Sequence, residues 1–234
     1  MKILSYGAGV NSTAILILYA QGKLKVDAVV FADTGAEHPE TYAFIDTYIK
    51  PLCAKLDLPF HVVSGGNLYE DYWQKRIIPF RQFRSCTDRY KIRPLKKFVE
   101  KTYGSDFTFI LGIDFGEKNR ATRYQGINFE FPLIDLHIDR EGCKQMIREY
   151  GLPIPIKSGC FFCPFTTKTG WLNLLANHKN LFLRAEIFEK NNRQYPKYYL
   201  TAQPLEKIRK AIENQKNLCE WLTTDDVPCI FCST

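Results

Sequence analysis

The sequence predicts a doubly wound α/β fold, a mainly parallel five-stranded sheet followed by a helical C-terminal section. Three observations carry that expectation. Short apolar runs alternate with segments of helical character through the first 150 residues, as strands joined by crossover helices do. One run, Val-Asp-Ala-Val-Val-Phe-Ala over residues 26–32, is apolar almost throughout, which suits a central parallel strand covered on both faces. Gly7, Asp33 and Gly112 all fall where strands end, at the edge where such sheets gather their ligands.

Taken in order, residues 3–6 enter a buried sheet as the first strand. Gly7 and Gly9 then allow backbone angles closed to other residues, and Asn11, Ser12 and Thr13 offer caps before the apolar run of residues 14–19. Such a turn aims unpaired N–H groups and the positive end of a helix dipole at one spot, which suits a phosphate; a tight turn with no ligand has the same composition. Gly22 terminates that helix. After the second strand comes Asp33-Thr34-Gly35-Ala36-Glu37; residues 39–56 form a helix disturbed near Pro51, and residues 60–63, 107–112 and 127–133 complete the strands. Residues 151–159 are a proline-punctuated linker, and residues 171–191 and 204–222 read as helices. The chain therefore divides into an α/β part, residues 1–150, and a helical, cysteine-bearing section, residues 151–234, packed on it.

With 234 residues, 45% apolar and 24% charged, the chain has enough material for one sizeable core. No apolar run has the length of a membrane span and the N-terminus is spent on a strand, so a cytoplasmic protein without a membrane partner is expected. A net charge of +7 favours anionic partners: nucleotides, sulfated or phosphorylated small molecules, or nucleic acid. Eight cysteines are too sparse for a disulfide scaffold, but Cys160/Cys163 and Cys229/Cys232 are C-x-x-C pairs, a spacing that lets both thiolates reach one metal. Cys53 and Cys143 fall inside helices and read as small apolar residues, and the four histidines show no metal spacing. Arg84, Arg89, Lys91 and Arg93 crowd one segment, with Arg120 and Arg123 after the fourth strand. Guanidinium groups bind phosphate or sulfate through paired hydrogen bonds, so a convergent set makes an anion pocket. The alternative is a solvated basic face, which suits Lys96, Lys97 and Lys101. Asp33 can accept from a ribose or an adenine amine, or cap its own turn. Phe80, Phe83 and Tyr90 read as core, with base stacking the alternative.

The run Gly7-Ala8-Gly9-Val10-Asn11-Ser12-Thr13 resembles the PP-loop, Ser-Gly-Gly-x-Asp-Ser, of the adenine nucleotide alpha hydrolase superfamily. It departs where Gly7 stands for serine, Ala8 for glycine and Asn11 for aspartate, the last removing a magnesium ligand. Four further pieces in order resemble the phosphoadenosine phosphosulfate (PAPS) reductase-like branch: the Asp33 loop, Arg84-Ser-Cys-Thr-Asp-Arg-Tyr-Lys91, Gly112-Ile-Asp-Phe-Gly-Glu-Lys-Asn-Arg120 with the strand end Phe131-Pro-Leu-Ile-Asp135, and Ser158-Gly-Cys-Phe-Phe-Cys163. The resemblance implies an adenine nucleotide on Tyr6, Gly7, Ala8, Gly9, Asn11, Ser12, Thr13, Asp33, Thr34, Gly35 and Gly112, with Arg84, Lys91 and Arg120 on its distal phosphate or sulfate. It implies a 4Fe-4S cluster on Cys86, Cys160 and Cys163 with Cys229 or Cys232; a structural zinc on Cys160, Cys163, Cys229 and Cys232 is the competing arrangement. The function implied is that of a PAPS reductase-like enzyme of sulfur metabolism using PAPS, adenosine phosphosulfate or ATP, magnesium accompanying ATP, with a thioredoxin-like donor. The alternatives are an ATP-dependent iron-sulfur sulfurtransferase acting on tRNA or DNA, and a non-catalytic nucleotide-binding module. The C-terminal Glu-Cys-Gly segment that carries the reductases' attacking cysteine has no match here, so no catalytic residue is assigned.

Overall fold

The structure, a computed structural model, describes residues 1–124, 128–192 and 197–213. Its strands are β1 (Lys2–Tyr6), β2 (Ala28–Asp33), β3 (Phe60–Ser64), β4 (Thr108–Leu111) and β5 (Asn128–Glu130). The helices are α1 (Val10–Ala20), α2 (Pro39–Phe44), α3 (Lys50–Lys55), α4 (Leu68–Lys75), the single turn α5 (Ser85–Thr87), α6 (Arg93–Tyr103), the short α7 (Pro132–Asp135), α8 (Arg140–Glu149), α9 (Lys168–Asn177), α10 (Lys179–Asn191) and α11 (Leu205–Glu213). The five strands form one sheet in the order β3-β2-β1-β4-β5, and every pairing is parallel.

The period of two along each strand divides the core. Leu4, Tyr6, Val29, Phe31 and Ile110 meet the apolar faces of α1 and α8, while Ile3, Ala28, Val30 and Phe109 meet Leu95 and Val99 of α6 on the opposite face. Both faces of β1 and β2 are thus covered, which is why their sequences carry so few polar residues. Among the described residues no helix is long and apolar enough to cross a membrane.

Prolines account for most departures from the expected boundaries. The helix expected over residues 39–56 opens into a wide π-type turn, Ile45–Ile49, in which Lys50 N–H reaches back to Ile45 C=O. Pro51 follows, and with no N–H of its own it cannot continue the tighter ladder. The same device recurs at Asp88–Ile92, where Arg93 N–H bonds Asp88 C=O just before Pro94. The fifth strand is shorter than the expected 127–133 because Pro132 opens α7, a position that needs no donor. Residues 171–191 are two helices rather than one, separated at His178, whose backbone is non-helical and whose Nε2 lies 2.6 Å from Glu40 Oε1. Of the helix expected over 204–222, Leu205–Glu213 is described and the remainder lies outside the described residues.

The C-terminal helices share a core with the α/β part. Trp171, Phe182, Phe188 and Leu205 pack with Tyr72, Tyr90, Phe161 and Phe162 in one buried cluster. Glu189 secures the segment before α11 by accepting Leu200 N–H at 2.7 Å and Leu205 N–H at 2.8 Å. Cys53 and Cys143 are buried in the core as expected, and burial pushes both thiols from 9.0 up to about 12. Above the unfolded value the unfolded chain sheds protons that the folded chain retains, so stability is present below it and lost as pH rises toward the folded value. The unfolding free energy from urea titration is therefore expected to fall between about pH 8 and pH 10, by about 1 kcal/mol per thiol, and to fall less in Cys53→Ala.

Candidate functional site

The chain winds from β1 to β2 and β3 on one side and then to β4 and β5 on the other, so a crevice opens between the ends of β1 and β4. The glycine turn fills its floor. Thr13 Oγ1 donates to Gly9 C=O at 2.9 Å, which leaves Tyr6 hydroxyl to donate to Thr13 Oγ1 at 3.0 Å. Ser12 Oγ lies 3.3 Å from Gly9 N and 3.2 Å from Gly9 O, holding the first turn of α1. The left-handed residue is Ala8, with φ of 54°, and Gly9 has φ of −111°, so the freedom expected at the glycines is not what the backbone uses. They serve by lacking a side chain. A Cβ on Gly7 would meet nothing within 4 Å, whereas one on Gly9 would lie 3.2 Å from Ser158 Oγ.

The end of β4 presses on the same turn, for a Cβ on Gly112 would stand 2.8 Å from Ser12 N. Asn11 Nδ2 donates to Gly112 C=O at 3.2 Å and to Asp114 Oδ2 at 2.9 Å, and its buried Oδ1 has no hydrogen-bond partner. Asp114, 2% exposed, also accepts Glu117 N–H at 3.1 Å. A carboxylate thus stands beside the turn although position 11 carries none.

Next to it, the Asp33 loop is locked onto the Cys160 turn. Asp33 Oδ1 accepts Gly35 N–H at 2.8 Å and the Tyr42 hydroxyl at 2.7 Å, the turn-capping arrangement. Glu37 and Cys160 form an isolated antiparallel bridge, flanked by Phe161 N–H to Ala36 C=O at 2.9 Å and His38 N–H to Gly159 C=O at 3.3 Å. Lys91 Nζ lies 2.7 Å from Glu37 Oε1, and Thr34 hydroxyl donates to the same oxygen at 3.2 Å. With that proton used, the Cys160 thiol is the donor in its 3.4 Å contact with Thr34 Oγ1. Burial holds Cys160 and Cys163 in the protonated form, and Lys91 opposes it in both. Burial is the largest influence on Lys91 and works against its charge, but Glu37 together with Cys160 and Cys163 outweighs it and the ammonium is held above its ordinary value.

The structure distributes the remaining expected residues over this edge. Cys86 packs in the same cluster as Cys160 and contributes to the field at Cys163. Among the described residues, no three His, Cys, Asp or Glu side chains converge as ligands of one metal, and Cys229 and Cys232 lie outside the described residues. The described thiols therefore do not by themselves fit a cluster or a zinc ion. Each of the three basic residues has a partner of its own: Lys91 holds Glu37, Arg84 stacks on Phe165 with 5.3 Å to the ring centroid, and Arg120 pairs with Glu117. Asp114 and Ser158 lie inside segments that carry the resemblance but were given no role there, and Tyr42 was given none either.

An open, all-parallel α/β sheet with a glycine turn at its switch point defines the class. A family model for the phosphoadenosine phosphosulfate reductase domain matches residues 2–122, and the chain belongs to that family. Among curated proteins it is similar to the uncharacterized protein MJ0066 of Methanocaldococcus jannaschii, 33% identical over 125 residues, covering 52% of this chain and 24% of that protein. It is also similar to the uncharacterized nin region protein ORF290 of Escherichia phage lambda, 26% identical over 193 residues, covering 70% of this chain and 65% of that protein. The chain thus spans about a quarter of the first relative and just under two thirds of the second. Two solved structures are similar in outline. One is the PAPS reductase from Candida auris in its phosphate complex, with TM-score 0.47, 17% identity, and 66% of this chain and 74% of that chain covered. The other is the U34-tRNA thiolase NcsA from Methanococcus maripaludis with its [4Fe-4S] cluster, with TM-score 0.49, 15% identity, and 81% and 71% covered.

Proposed function

We propose that this chain is a PAPS reductase-like enzyme of sulfur metabolism that seats the phosphates of an adenine nucleotide on the Gly7–Thr13 turn and presents thiols beside them. The observation that carries the reading is the approach of the cysteine turn to the glycine turn: Ser158 Oγ occupies the space next to Gly9, two residues before Cys160. Free N–H groups at the start of α1 supply the phosphate contacts, Gly7 leaves room for them, and Lys91 and Lys157 bring positive charge toward Cys163, where a sulfur-bearing group would be met.

Ser12→Ala tests the assignment. A hydroxyl donating to a charged phosphate contributes about 1 to 3 kcal/mol, so calorimetric affinity for ATP or PAPS is expected to fall by about 5- to 150-fold. Unchanged affinity for both would remove the nucleotide from this turn. The cofactor is checked separately by metal analysis of the full chain purified without oxygen. If Cys229 or Cys232 completes the set, the protein carries iron and absorbs in the visible, and Cys86→Ala bleaches it. Colourless protein with one zinc, unaffected by Cys86→Ala, assigns the cysteines to a structural site.

A further inference from the structure

We infer that the surface running outward from the Cys163 turn, built on Phe83, Phe80, Tyr198, Phe165, Arg81 and Arg84, binds single-stranded nucleic acid. Phe83 is 76% exposed, a large apolar ring left in water. It stands edge to face with Phe80 at 6.2 Å, and Phe80 stands in turn against Tyr198 at 4.4 Å, itself 39% exposed. Three rings of which two face solvent make a stepped platform. Beside it, the guanidinium groups of Arg81 and Arg84 lie over the Phe165 ring at 5.9 and 5.3 Å. Arg81 is anchored there by its Nε, which donates to Pro164 C=O at 2.6 Å, directly after Cys163.

Charge selects the occupant. Residues 75–97 contain nine Lys and Arg against one Asp, a far stronger bias than the 32 against 25 of the whole chain. Four of those bases are paired with carboxylates, Arg89 with Asp71, Lys91 with Glu37, Arg93 with Asp88 and Lys96 with Glu100, while Arg84 stacks on an aromatic ring instead of pairing with a carboxylate among the described residues. Aromatic rings interleaved with guanidinium groups match a chain of alternating flat bases and phosphates, since each base has a face to stack and each phosphate an anion to be held. A duplex hides its bases from such a platform. An acidic polypeptide would use the charges but leave Phe83 and Tyr198 idle. The inference goes beyond the nucleotide reading and does not rest on it, because none of these six residues touches the glycine turn in any contact described above.

The test is fluorescence anisotropy of the full chain with labelled mixed-sequence single-stranded RNA and DNA of about 16 nucleotides, the matching duplex, and a labelled poly-glutamate peptide. Single strands are expected to bind more tightly than the duplex, with affinity falling as salt rises from about 50 to 200 mM. Phe83→Ala is expected to weaken single-strand binding by about tenfold with the salt slope unchanged, and Arg84→Gln to make that slope shallower. The RNA and DNA arms decide which sugar is preferred, and binding of either supports the surface. No single-strand binding, equal affinity of Phe83→Ala and the unmodified chain, or poly-glutamate binding as tightly as the single strands overturns the inference. Tyr198→Ala repeats the measurement from a second ring should Phe83→Ala fail to fold. ATP calorimetry on Phe83→Ala is expected to match the unmodified chain, so this inference and the nucleotide reading fail independently.

Discussion

Gly112→Ala is expected to cost both stability and nucleotide binding. The new methyl group would stand 2.8 Å from Ser12 N and 3.1 Å from Asn11 C, both backbone atoms that cannot swing aside as a side-chain end can. The end of β4 and the start of α1 must part, which stretches the Asn11 contacts to Gly112 and Asp114. Overpacking of this kind costs about 1 to 3 kcal/mol, and rigid neighbours put Gly112→Ala at the upper end. A shift of the helix start also misaims its N–H groups, so ATP affinity should drop by at least about tenfold. Gly7→Ala separates the two effects. Its methyl group meets nothing within 4 Å, so the urea midpoint should hold while nucleotide binding is lost to the group that now occupies the phosphate's place. Normal stability and normal affinity in Gly112→Ala would show that the end of β4 and the start of α1 are not clamped as described.

The second large effect belongs to Lys91. Glu37 has a side chain only 1% exposed and a second oxygen, Oε2, that is buried without a hydrogen-bond partner. Lys91→Met leaves that carboxylate with Thr34 alone among the contacts described. Breaking a buried ion pair from one side costs about 3 kcal/mol or more, because the remaining charge is stranded away from water. Lys91→Met is therefore expected to lower the urea midpoint sharply, and Glu37→Gln added to it should restore most of the loss, since neither member of the pair then carries charge. A double variant as unstable as Lys91→Met alone would place the damage in packing rather than in charge.

Much of the fold was legible because its signals are local. The near-continuous apolar run at residues 26–32 reports a strand covered on both faces, and the alternation of Ile3 and Leu4 between two core clusters follows from the pleat alone. Pro51 marked the disturbance in its helix. The pieces missed were small: Pro132 turning a strand end into a helix, and His178 dividing one helix into two, each decided by packing over a few residues.

The site divides differently. The sequence alone determined which loops would stand at the carboxyl edge, since a strand followed by a glycine-rich turn and a capped helix can point in only one direction. It also exposed the residue types, thiols and bases, that those loops carry. The tertiary structure decided who meets whom. Asn11 finds Asp114 across 103 residues of chain, Thr34 finds Cys160 across 126, and Lys91 meets the buried carboxylate of Glu37 across 54. Periodicity and capping act over one or two turns of chain, whereas these pairings are set by strand order and by the need of each buried charge for a partner, which no local pattern encodes.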